Sequence, residues 1–252
     1  VDYAKLTYHD RNSADFGAKV KWGDSLASPA RSITETTVPG QAPFLSDNLT
    51  WDNLDQTINF IVNRPSQYDD WHEWMQDFVA WLRPNRVNGH TVYEPFFFDL
   101  ETDYFWLGYI TSQITFTPAT DIYAEYHGTA TVVIHRQPWL YRQDGKDFEA
   151  VPLNVPITNW EPDEAYPIFH IQGSGDFVLT VNNVQYKINN VDDEIYLDCE
   201  KNKAFKTLKD SRDTHIDFPN HDFPCLKSGD NVIKLSGNAT LFEYKPRWRK
   251  VG

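Results

Sequence analysis

A mainly β chain of two sandwich-type domains, the first carrying one packed α-helix, is what this sequence predicts. Three observations lead there. Short β-prone runs recur from end to end between Gly, Pro and Asn turns; helical periodicity is confined to about 66–83; and a polar, proline-dense stretch interrupts the chain near 142–160. Length agrees, since 252 residues exceed a typical domain. The expected domains are 1–145 and 146–252, with the linker at about 142–160.

Each element has a local reason. Val20-Lys21-Trp22 and Ser32 to Val38 are β-prone, and Pro39-Gly40 is a turn signal. Thr57 to Val62 alternates as a strand buried mainly on one face. In the helix, Ser66 is the expected cap, Asp69, Asp70 and Glu73 suit the first turns, and Arg83-Pro84 ends it. Trp71, Trp74, Met75, Phe78, Val79 and Leu82 share one helical face, which predicts a helix lying on a sheet. Strands are expected next at Glu94 to Leu100, Tyr104 to Thr117 and Gly128 to His135. The second of these should be buried on both sides near its start, at Tyr104-Phe105-Trp106-Leu107.

Pro152, Pro156, Pro162 and Pro167 disfavour helix and central strand across the boundary. Beyond it, strands are expected at Ile168–Ile171, Phe177–Val181, Val184–Ile188, Glu194–Asp198, Asn231–Leu235 and Thr240–Tyr244. Turns at Gly173 to Asp176, Asn182-Asn183, Asn189-Asn190 and Gly237-Asn238 separate them, in the pattern of a sandwich or jelly roll.

Composition narrows function. With 23 Lys plus Arg against 36 Asp plus Glu, the net charge is −13. Such a surface repels nucleic acid and anionic membrane, which sets aside nucleic-acid binding as the main activity. No apolar run reaches the length of a membrane span, so membrane insertion is not expected. The start, Val1 to Lys5, lacks a signal-peptide pattern, although a processed chain would look the same. Cys199 and Cys225 allow one bridge, and a reduced, intracellularly assembled protein is the simpler reading.

The search for chemistry yields no catalytic constellation, no metal site and no cofactor. Cys199, His215, His221 and Cys225 are zinc-ligand types but include only one close pair. Asp192, Asp193, Glu194, Asp198 and Glu200 lack the spacing and glycine of a calcium loop. Asp99, Glu101 and Asp103 stand among aromatics as glycosidase carboxylates can, with nothing else to support that chemistry. There is no nucleophile elbow and no phosphate loop. The sequons at Asn48 and Asn238 matter only on secretion.

Several motifs in order resemble the distal tail (Dit) family of long-tailed phages that infect Gram-positive bacteria. In the first domain these are the Pro39-Gly40 turn, the helix ending Trp81-Leu82, Tyr104-Phe105-Trp106-Leu107-Gly108, and the exit Gln137-Pro138-Trp139-Leu140-Tyr141. In the second they are Glu164-Ala165-Tyr166-Pro167-Ile168, Ile171-Gln172-Gly173-Ser174-Gly175-Asp176 and Leu197-Asp198-Cys199-Glu200. Phe223-Pro224, Gly229-Asp230-Asn231 and Pro246-Arg247-Trp248-Arg249 follow.

The resemblance implies a structural virion component of the phage tail tip, assembled in the host cytoplasm. Its first domain would form a hexameric ring in the hub, or baseplate, with DNA passing through. Its second would be galectin-like and face outward. Implied partners are further copies of the chain, the tail tube protein, a tail-associated hub protein and receptor-binding or fibre proteins. Pro39, Gly40 and Gln41, with Asn88 and Gly89, are the candidate ring contacts. Pro138, Tyr166, Pro167, Gly173, Asp176, Gly229, Asn231, Pro246 and Trp248 are carried over as structural positions. The chain has no room for an inserted carbohydrate-binding module, and His170-Ile171-Gln172 does not continue as a galectin sugar motif. The alternative is a carbohydrate-binding module or lectin recognising host cell-wall glycans, which the β-sandwich pattern and abundant Trp and Tyr keep open.

Overall fold

The computed structural model describes residues 2–23, 27–121 and 123–252, without the side chains of Asn48 and Leu49. Val1 and the Asn48 side chain of the first sequon lie outside the described residues. The fold is mainly β, with one α-helix among the described residues. It divides into two compact units, residues 1–140 with 251–252, and residues 141–250.

The first unit is built on one large antiparallel sheet. Its strands run in the order Tyr3–Ala4, Ala18–Lys21, Leu54–Asn63, His127–Arg142, Tyr104–Ile110, Glu94–Phe98, Leu6–Tyr8 and Arg11–Asn12. Leu54–Asn63 shows the expected alternation, burying Gln56, Ile58, Phe60 and Val62 and exposing the residues between. Cross-strand pairs match large with small, Phe60 opposite Ala130 and Val62 opposite Gly128. A methyl group at Gly128 would stand 2.7 Å from the Phe116 ring. Glycine is therefore required there by packing.

The helix is shorter than its sequence pattern, Trp71–Trp81 rather than 66–83. Asp70, not Ser66, is the cap: its side chain accepts from Glu73 N at 2.9 Å, while Glu73 Oε2 accepts from Asp69 N at 2.8 Å. Trp74, Phe78 and Trp81 are buried, and Trp71, Met75 and Val79 are only half-buried. The buried stripe keeps Trp74, Phe78 and Leu82 of the expected face and adds Trp81 beside it. Two indole N–H groups decide this, because Trp74 donates to Phe16 O and Trp81 to Tyr8 O.

Two other expectations change. The predicted strand Tyr104 to Thr117 is two strands, Tyr104–Ile110 and Thr115–Pro118, divided at the polar Thr111-Ser112-Gln113. Phe105 and Trp106 are both buried at its start, as expected. The strand predicted to stop at His135 runs on to Arg142, through Pro138. Its pairing with Leu54–Asn63 ends at Arg136, so the missing Pro138 N–H interrupts nothing on that side.

Arg136 is almost fully buried, and no Asp or Glu is among its hydrogen-bond acceptors. It donates to Gln56 Oε1 at 2.7 Å and to the main-chain oxygens of Ala27 and Gly252, each at 2.6 Å. Burial pushes its guanidinium down to about 10. Gly252 N in turn donates to Pro138 O.

The second unit holds a six-stranded and a five-stranded antiparallel sheet that share one core. The first runs Glu149–Ala150, Ala239–Lys245, Ile168–Gly173, Glu194–Asp198, Lys203–Thr207, Asp210–Ser211. The second runs Pro156–Asn159, Gly229–Ser236, Gly175–Val181, Val184–Val191, Ile216–Asp217. Phe169, Ile171 and Leu197 from one pack with Leu179, Val181, Ile188 and Ile233 from the other. Asn182 and Asn183, both with positive φ, form the two-residue turn between Val181 and Val184. Residues 142–160, expected as a linker, instead supply two edge strands to this unit. A proline-rich segment suits an edge, where the missing donor has no neighbour to serve.

Candidate functional site

Strands Arg31–Thr36 and Phe44–Trp51 form a hairpin that is a sheet by itself. Its register sets Ile33 opposite Asp47, Glu35 opposite Leu45 and Thr36 opposite Phe44. Neither face is covered. Ile33 is 53% exposed, Phe44 67% and Leu45 63%, with Val38 also open near the tip. Within the hairpin, Arg31 bridges to Asp47 at 2.8 Å and lies over the Trp51 ring.

Among the described residues neither strand of the hairpin, six and eight residues long, pairs with a third strand. The edge strands of the three large sheets are two to four residues long. Short edges resist association, and long apolar ones invite it. A two-stranded hairpin is marginal in water without a partner. The sequence pattern marks the first strand and the turn of this hairpin but not its second strand, because Gln41 to Thr50 has neither a clean alternation nor a β-branched run.

The candidate ring contacts Pro39, Gly40 and Gln41 are its exposed tip. Gln41 N donates to Val38 O, with Pro39 and Gly40 (φ +79) between them, which is a type II turn. Asn88 and Gly89 lie elsewhere, in the turn of the separate small hairpin Arg86–Val87 and His90–Thr91. That hairpin is rooted at Asn85, whose side chain donates to Glu94 Oε1 at 2.6 Å. Glu94 also receives Tyr8 OH and His9 Nε2, while His9 Nδ1 donates to Trp81 O. Burial pushes the Glu94 carboxyl up, but the His9 and Asn85 bonds outweigh it and hold it below the usual range.

The other motif residues sit at turns and sheet ends of the fold. Pro138 O accepts from Gly252 N, and Pro167 O from Cys199 N. Tyr166 lies under the Arg249 guanidinium, and burial beside Glu164 pushes its phenol up to about 12. Gly173 leaves no space for a side chain, since Asn238 O stands 2.6 Å from where a Cβ would be. Asp176 Oδ1 accepts from Asn190 N. Gly229 (φ +87) opens its strand, and buried Asn231 ties down Lys227 N and O together with Gly229 O. Pro246 follows the strand Ala239–Lys245, and Trp248 is buried, its carbonyl accepting from Arg142 N.

Residues weighed for chemistry are engaged otherwise. Asp192 and Asp193 pair with Lys206 and Arg212, Glu194 with His170, and Glu200 with Arg249. Asp99 meets Lys5, and His215 Nδ1 donates to Asn189 O. Cys199 and Cys225 are free thiols. Among the described residues no three His, Cys, Asp or Glu side chains gather as metal ligands, and no helix is long and apolar enough to cross a membrane.

On the outer face of the six-stranded sheet, His170 stacks on Tyr196 at 4.1 Å, and Tyr196 on Phe205 at 5.5 Å. Both faces of the Tyr196 ring are thereby occupied. Nearby, an open depression of about 310 Å³ is lined by Lys201, Lys203, Phe205 and Leu208 among others. Trp160 is 76% exposed.

The fold is similar to that of solved structures of phage hub and baseplate proteins. The chain is similar to the crystal structure described as that of the SPP1 Dit (gp 19.1) protein, a paradigm of the hub adsorption apparatus in Gram-positive infecting phages. The TM-score is 0.64 at 14% identity, over 96% of this chain and 97% of that one. It is also similar to a chain of the phage P2 baseplate in its activated conformation with Ca, with TM-score 0.52 at 9% identity over 97% of each chain. The corresponding structure with Sr gives 0.52 at 10% identity, over 100% and 99%. No protein-family model and no curated protein matches the chain.

Proposed function

We propose that this chain is a structural distal tail protein of a long-tailed phage, forming a hexameric ring in the tail-tip hub. The observation that carries the reading is the stand-alone hairpin Arg31–Trp51. Among the described residues it presents two long strands that pair with no third strand and four exposed apolar side chains, and a second copy of the chain is its natural occupant. Likeness to hub and baseplate structures over nearly the whole chain supports the same reading. In it the first domain (1–145) builds the ring, and the second (146–252), galectin-like, faces the fibre or receptor-binding proteins. The tail tube and the tail-associated hub protein meet the ring, and DNA passes through it. A net charge of −13 suits a conduit that must not hold nucleic acid. The protein resides in the virion after assembly in the host cytoplasm, and we assign it no catalytic role.

A lectin reading has weaker support. Sugar rings stack on open aromatic faces, and those of Tyr196 are taken on both sides. A single exposed indole, at Trp160, does not by itself make a sugar subsite. The ring is tested by light scattering and negative-stain microscopy of the purified chain. The expected result is a closed ring with six times the 29.3-kDa chain mass. A monomer at every concentration, without rings on the grid, would overturn the proposal.

A further inference from the structure

Asn88 and Gly89 are the two central residues of a hairpin turn, with φ of 52° and 82°. This is the type I′ geometry, in which an Asn side chain sits next to an unobstructed glycine nitrogen. Both residues are exposed, and nothing lies within 4 Å of where a Gly89 Cβ would stand. Among the described residues, the Gly89 N–H has no backbone acceptor and the Asn88 amide no hydrogen-bond partner. The frame is weak as well: two strands of two residues each, paired with nothing further.

We propose that Asn88-Gly89 is a self-modification site, where the asparagine cyclises and hydrolyses to aspartate and isoaspartate. The Gly89 backbone nitrogen gives up its proton and attacks Asn88 Cγ. The new N–Cγ bond forms as Cγ–Nδ2 breaks, and ammonia leaves with that proton. Water then opens the five-membered succinimide. Addition at Cγ gives aspartate, and addition at the backbone carbonyl gives isoaspartate. Nothing is oxidised or reduced, and water is the co-reactant.

Other turn asparagines are held against this reaction. Asn182 is tied at both side-chain atoms, donating to Asn231 Oδ1 at 2.7 Å and accepting from Val232 N at 3.0 Å. After Asn189, the attacking nitrogen belongs to Asn190 and donates to Asp176 Oδ1 at 2.9 Å. Both asparagines also lie in the five-stranded sheet, Asn182 in the turn before Val184 and Asn189 inside the strand Val184–Val191, which runs on through the turn expected at Asn189-Asn190. Conversion at Asn88 adds a negative charge beside Arg86 and His90, and isoaspartate adds a backbone carbon that the two-residue turn cannot fit. On the functional reading above, on which this consequence rests, the change falls in a candidate ring contact.

The test holds the full chain at mildly alkaline pH, in buffer and in denaturant, and follows it by peptide-mapping mass spectrometry with isoaspartate-specific enzymatic labelling. The expected result is conversion at Asn88 in the folded chain at a rate comparable to that of the unfolded chain. It should precede change at Asn182 and Asn189, show the mass of NH2 exchanged for OH, give isoaspartate as the major product, and vanish in Asn88→Gln. An intact Asn88 in the folded chain once the unfolded chain has converted overturns the proposal, as does earlier conversion at Asn182 or Asn189. The readout is chemical and stands whether or not the chain forms rings.

Discussion

Asp198 is buried in the second unit, where Arg247 holds it with two bonds, of 2.7 and 3.3 Å. Lys201 adds a backbone N–H at 3.3 Å and an ammonium at 3.6 Å. Arg247, Arg249 and the Tyr141 hydroxyl converge on neighbouring Glu200. Burial raises the Asp198 carboxyl, but the Arg247 bonds and the charge of Lys201 outweigh it, leaving it below the usual carboxylate range. The folded state therefore favours the ionised form. Its stabilisation is complete above the unfolded carboxyl value of about 4 and is lost as pH falls through the lower folded value. Asp198→Asn leaves Arg247 buried without this partner, and should cost about 3 kcal/mol near neutral pH. It should also flatten the acid limb of the stability curve. Urea unfolding across pH reads both, and a variant that follows the wild type below pH ~4 as well as above it would count against this account.

At the scale of elements, the helix and the hairpin show opposite uses of apolar side chains. Trp74, Phe78 and Trp81 are spent on the sheet beneath them, with Trp74 and Phe78 stacked at 4.6 Å. Phe44 and Leu45 instead stay 67% and 63% exposed. Replacing both with Ser should leave stability within about 0.5 kcal/mol of wild type, since exposed positions away from caps and cores carry little energy. On the proposed function the same change should abolish ring formation. Unfolding and light scattering on one sample separate the two effects, and persistent rings would show that the hairpin is not the contact. The hairpin was only half legible in the sequence. Pro39-Gly40 marks its tip, but nothing local says that Ile33 and Phe44 face away from the core.

For the whole molecule, charge is the governing quantity. Copies carrying −13 each repel one another on approach. Apolar hairpin contacts must overcome that repulsion, which salt screens over a length of about 10 Å at 0.1 M. The oligomer fraction should therefore rise as salt is raised from about 0.02 to 0.15 M. A fall, followed by sedimentation velocity, would mean that ion pairs rather than apolar contacts close the ring.

The sequence by itself determined the class of the chain. Alternation in Thr57 to Val62, helical spacing from Trp71 to Leu82 and Asn or Gly at the turns are local signals, and local sterics and hydrogen bonding act on them directly. It also determined the order of the motifs and the absence of any local catalytic signature. Tertiary structure alone decided the rest. It placed the cap at Asp70, set the helix so that two indoles reach backbone carbonyls, carried a strand through Pro138 and turned the supposed linker into sheet edges. Among the described residues it also gave the hairpin Arg31–Trp51 no third strand. Each of these depends on which groups remain unsatisfied once distant segments meet, and that is fixed by packing rather than by a residue's neighbours in sequence.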